Sequence, residues 1–120
     1  MERISPFTVT EKVELLALHR ALFEAQFSES PHDKDVPGSP LLASMANRIV
    51  DLLSQDDPRW ADWRIASRHP ARVQIARTRL ISDPKWIAMP REEKEMRIRN
   101  HLAPLIPDEA FIVELINGAA

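Results

Sequence analysis

A chain of 120 residues with sixteen Lys/Arg, eighteen Asp/Glu and a formal net charge of −2 has the size of one domain, able to bury roughly two-thirds of its unfolded surface. The absence of cysteine excludes a disulfide scaffold, a thiolate nucleophile and Cys-ligated zinc. No apolar run approaches the ~20 residues of a membrane span, and Met1–Pro6 lacks the apolar core of a signal peptide, so the expectation is a soluble, cytoplasmic protein with no membrane partner.

Two glycines are set against ten prolines, and the prolines fall between apolar segments, where a missing N–H costs nothing at a helix start. Valine and isoleucine sit at helical rather than alternating spacings, and no Asn-Gly or Asp-Gly joins strand-like runs. The pattern predicts an all-α single domain over residues 1–120, a compact bundle of six or seven short helices.

Taken in order, Thr8-x-x-Glu11 has the form of a capping box and opens a helix that runs to about Phe27. Leu15, Leu18 and Leu22 make one ridge, and Leu16, Phe23 and Phe27 the next. His19 and Gln26 lie between the ridges, which predicts a core histidine bonded to Gln26 or to a main-chain carbonyl. The competing reading is a buried catalytic imidazole, with no second catalytic group near it in sequence. Residues 28–38 follow as a polar loop. His32, Asp33 and Asp35 offer nitrogen and oxygen donors there, but a zinc site needs further ligands and the calcium-loop pattern fails. The expectation is a solvated connection, with no metal and no cofactor.

Ser39 and Pro40 cap and open a helix over Ser39–Leu53. At 100° per residue, Leu41, Leu42, Met45, Ala46, Ile49, Val50, Leu52 and Leu53 fill half of its wheel. Ala43, Ser44, Asn47, Arg48, Asp51 and Ser54 fill the other. So wide an apolar face predicts a hub, entirely covered by neighbouring helices.

Beyond the hub, Asp57-Pro58-Arg59-Trp60 and Asp83-Pro84-Lys85-Trp86 repeat one capping device. The third helix carries Trp60, Trp63 and Arg64 on one side and Ala61, Ile65 and Arg68 on the other. Pro70 opens the fourth, which sets Val73, Ala76 and Leu80 against a row of Arg72, Ile75 and Arg79. Charge is uneven: residues 1–57 hold five basic and ten acidic side chains, and residues 58–120 eleven and eight. Arg59–Arg79 alone has six arginines and one acid. Arginine suits phosphate and carboxylate contacts, and tryptophan can stack on bases. These features nominate Trp60, Trp63, Arg64, Arg68, Arg72, Ile75 and Arg79 as an interaction surface. Pro90 then opens a charged helix to Ala103, expected to face solvent with His101 exposed on it. Pro107-Asp108-Glu109 starts a last apolar helix, expected to dock on the hub.

No nucleophile elbow, P-loop, dinucleotide glycine motif or His-Glu-x-x-His occurs. The leading expectation is a non-catalytic protein-interaction module (accessory subunit, adaptor or inhibitor) that binds a protein partner or itself. Nucleic-acid binding through the Arg/Trp-rich 59–79 surface is one alternative, although a pI near 6 is low for it. A small enzyme using His19 or His32 is the other.

Overall fold

The computed structural model describes residues 5–118. Within them lie α1 (Lys12–Gln26), α2 (Pro40–Asp56), α3 (Arg59–Trp63), a 3₁₀ turn (Ala66–Arg68), α4 (Pro70–Ser82), α5 (Arg91–Leu102) and α6 (Glu109–Ile116). The only β pairing among the described residues is one isolated bridge, Ile65 with Ile106. The all-α bundle read from the sequence is the fold observed. Among the described residues no helix is long and apolar enough to cross a membrane.

Several helix starts follow from their local chemistry. Ser39 Oγ accepts from the Leu42 N–H at 3.3 Å, with Pro40 as the first helical residue. Asp108 does the same for α6, accepting from Phe111 N–H at 2.8 Å. The two Asp-Pro-basic-Trp segments share one turn, in which Asp57 accepts from Arg59 N–H at 3.0 Å and Asp83 from Lys85 N–H at 2.9 Å. Their continuations differ. The first becomes α3, while the second stays a chain of turns that buries Trp86 and Met89. The capping box at Thr8 does not form: α1 begins after Glu11, with no side-chain cap.

The third helix is shorter than its sequence pattern predicts. It ends at Trp63 because the chain turns to pair with the segment after α5: Ile106 N–H donates to Arg64 O at 2.7 Å, and Ala66 N–H to Ile106 O at 3.0 Å. Ile65 and Arg68 therefore share no helix with Trp60. Arg64 fastens this junction. Its Nε donates to Pro104 O at 3.1 Å, Nη1 to Asp51 at 2.6 Å and Nη2 to Asn47 Oδ1 at 3.1 Å. One guanidinium thus ties α2, the α3 exit and the chain after α5. Arg64→Gln is expected to cost about 2 kcal/mol, the scale of lost hydrogen bonds to a charged group. Equilibrium urea unfolding with an unchanged m-value measures it.

The core is centred on α5, not on α2. Ile98 and Leu102 of α5 are wholly buried, among Ala76 and Leu80 of α4, Ile112 and Leu115 of α6, and Trp86, Met89 and Leu105 from the connections. The solvent-facing role expected for α5 fails because two large apolar residues at i, i+4 suffice when α4 and α6 pack on them and α2 packs on the same helix. Helix α6 accordingly packs on α5 rather than on a hub. Helix α2 packs on α1, α3 and α5 and buries Ala43, Ala46, Ile49, Val50 and Leu53. Its buried arc is turned toward the alanines, whose small side chains admit close helix approach, and away from part of the apolar half-wheel. Leu41, Met45 and Leu52 are left exposed. The hub is only partly covered by folding.

Candidate functional site

The seven residues nominated from sequence divide into two tryptophans of an aromatic group, four arginines and Ile75. Trp60 and Trp63 are half-buried and edge-on to each other, with centroids 5.2 Å apart. His19 reaches up between them, at 5.0 Å from Trp60 and 4.9 Å from Trp63, and stacks on Phe23 at 5.6 Å. Its surroundings are rings, not the hydrogen-bonding partner expected. Gln26 is engaged elsewhere, donating to Asn100 O at 2.5 Å and Ala103 O at 3.2 Å while its Oε1 accepts from Gly38 N–H at 2.8 Å. Burial, and then the charge of Arg20, lowers the His19 pKa. His69 adds its ring to Trp63 at 5.0 Å and bonds through Nε2 to Trp63 O at 2.6 Å. This aromatic group joins α1, α3 and the start of α4, and Trp63 packs against the main core.

The arginines are held just as firmly. Arg64 makes the junction described above, with a side chain only 11% exposed. Arg79, half-buried, donates through Nη1 to Gln26 O and through Nη2 to Ser28 O. The Arg72 guanidinium lies over the Phe23 ring at 4.6 Å, a cation–π contact. Arg68 pairs with Asp62 at 2.9 Å, and Arg59 with Asp57 at 2.8 Å. Ile75 is half-buried on α4. The basic row is thus largely engaged by the protein's own carboxylates, carbonyls and rings.

His32 is exposed on the 28–38 loop, and among the described residues no three His, Cys, Asp or Glu side chains are grouped to hold a metal. Among the described residues, the contacts of His19 are the rings of Phe23, Trp60 and Trp63.

Two features that the sequence left unremarked stand out. The first is on α2, where Leu41, Met45 and Leu52 are 79%, 47% and 43% exposed and fall within about 40° of one another at 100° per residue. The stripe adjoins the α1–α2 seam, a shallow dimple lined by Leu22, Ala25, Val36 and Leu42. Leu18 and Leu22 of α1 are themselves only half-buried. Single exposed leucines are ordinary, but three large apolar residues exposed within one arc of a helix, beside the exposed Arg48, suit a contact surface.

The second is a cleft of about 870 Å³ between the 28–38 loop and the corner where α4 leads toward α5. Arg79, Arg97, Asp83 and His101 line its inner part, and Glu29, Lys34 and Asp35 its loop side. His101 is half-buried rather than exposed, and its Nδ1 is buried without a hydrogen-bond partner. Burial, followed by the charges of Arg79 and Arg97, lowers its pKa to about 4, against a smaller opposing effect of Asp83. The glycine at position 38 makes this arrangement possible, because its bare Cα lies against the His101 ring. A glycine immediately before the Ser39-Pro40 cap was the one sequence signal for it.

No protein-family model, curated protein or solved structure matches this chain.

Proposed function

We propose that this chain is a non-catalytic protein-interaction module, an accessory subunit, adaptor or inhibitor, that docks a protein partner on α2. The reading is carried by one observation: Leu41, Met45 and Leu52 are exposed within one narrow arc of a helix whose opposite side is packed, with the exposed Arg48 set between Met45 and Leu52. Exposed apolar residues in one arc of a helix, beside the half-buried Leu18 and Leu22 of α1, suit contact with the apolar face of another helix. The Trp60–Arg79 surface supports docking less well, because Arg64 and Arg79 are bonded to the protein's own main chain. The same bonds remove the main support for nucleic-acid binding.

The test is a double substitution, Leu41→Glu with Leu52→Glu, at positions where the change removes little internal packing. Helicity and the thermal midpoint should stay near wild type, while a partner captured by the wild-type chain from its native cell is lost. Arg68→Ala should keep that partner. Equal recovery by the wild type and the double variant sinks the reading. Sedimentation of the two proteins separates a foreign partner from a second copy of the chain.

A further inference from the structure

The cleft between the 28–38 loop and the α4–α5 corner is independent of the α2 stripe and carries its own chemistry. Its volume, about 870 Å³, is that of a small-molecule site. Arg79 stands at its inner end as a half-buried cation bonded to two neutral carbonyls, with no carboxylate partner among the described residues. A cation taken partly out of water without a counter-charge is unfavourable. Burial accordingly lowers its pKa. Arg97 is held loosely, at 3.4 Å from Asp83 and 3.7 Å from Glu93, so its fork remains open to a better-aligned acceptor.

The charges facing His101 agree. From α4 comes Arg79 and from α5 itself Arg97, both repelling a proton on the ring, while Asp83 attracts one less strongly. The loop contributes Glu29, Lys34 and Asp35 at the cleft's side. Across the whole lining three cations, Lys34, Arg79 and Arg97, meet three carboxylates, Glu29, Asp35 and Asp83, so the positive charge is local to the two arginines beside His101. The geometry points to a binding site for a small molecule bearing an anionic oxygen group, a phosphate or a carboxylate, held by Arg97 with Arg79 supplying the second positive charge. His101, which lines the same cleft, is the reporter.

Binding of an anion next to His101 favours its protonated form and raises its pKa. By linkage the anion binds more tightly as pH falls. The experiment is an NMR titration of the His101 ring at constant ionic strength, with chloride as reference, inorganic phosphate in one arm and chloroacetate, a carboxylate still ionised where His101 titrates, in the other. Phosphate or chloroacetate should raise the His101 pKa and shift its ring resonances in a saturable way, and the responding arm identifies the oxygen group. Arg97→Gln should weaken that effect at least tenfold with the circular dichroism unchanged. Asp83→Asn, which removes the competing carboxylate, should strengthen it severalfold. Identical His101 titrations in all three salts overturn the proposal. So does an undiminished response in Arg97→Gln.

Discussion

Gly38→Ala should destabilise the chain by about 3 kcal/mol, the combined cost of a side chain in the left-handed region and of displacing a packed ring. Gly38 has φ 76°, where a Cβ meets its own carbonyl. That alone accounts for roughly 1–2 kcal/mol. The added methyl would also stand within 2.7 Å of three ring atoms of His101. The ring cannot yield freely, since its Nδ1 side is enclosed in protein. Moving the backbone instead would strain the Gly38 N–H bond to Gln26 Oε1, 2.8 Å long. Gln26 in turn holds the end of α5 through Asn100 O and Ala103 O, so the disturbance reaches three segments. Thermal or urea denaturation reads the loss. A double-mutant cycle divides it: in a His101→Ala background Gly38→Ala should cost only the backbone part, and the difference is the steric coupling. Equal costs in both backgrounds would show that the ring was never in the way.

The junction that this substitution attacks marks the boundary of what the residues announce about themselves. Ser39-Pro40 and Asp108 act over three residues, through their own side chains and the next N–H groups, so their roles are written locally. The depth of α5 is not local. Arg91–Leu102 is charged along most of its length, and only Ile98 and Leu102 lie at the centre of the core. Burial there depends on three helices arriving from elsewhere. The broad apolar face of α2 misled in the opposite direction, since a helix with many apolar residues can leave some unpartnered.

Arginines gave the sharpest divergence between pattern and structure. A row of Arg72, Ile75 and Arg79 reads the same whether it faces a phosphate or a neighbouring main chain. In the structure the acceptors are Gln26 O and Ser28 O for Arg79, and Pro104 O for Arg64. Main-chain carbonyls leave no residue-specific trace in a sequence, so these contacts are legible only after folding. The aromatic group was half legible: Trp60, Trp63 and His19 were each singled out, but their meeting depends on α1 and α3 both packing on α2. The cleft was invisible, because its parts come from residues 29–40, 79–84, 97 and 101.

Acidification should remove up to ~3 kcal/mol of stability between pH 6.5 and pH 4, and His101 is the main cause. Its folded-state pKa of about 4 lies below the ordinary 6.5, so the unfolded chain takes up the proton first. Above pH 6.5 both states hold a neutral ring and the full stability is present. As pH falls through 6.5 only the unfolded state gains a proton, and stability drops by ~1.4 kcal/mol per unit. The loss levels off near pH 4, where the folded ring also protonates. His19, with a pKa lowered in the same direction, adds to the slope with the same sign. Urea midpoints measured across this range should fall steeply for the wild-type chain and much less for His101→Gln, whose residual slope belongs to His19 and the carboxylates. Matching slopes in the two proteins would mean that His101 is as easily protonated folded as unfolded, contradicting its enclosure against Gly38, Arg79 and Arg97. Phosphate couples this result to the cleft. If an anion occupies the floor and raises the folded pKa, the gap between folded and unfolded values narrows, and the acid loss shrinks in phosphate relative to chloride at the same ionic strength.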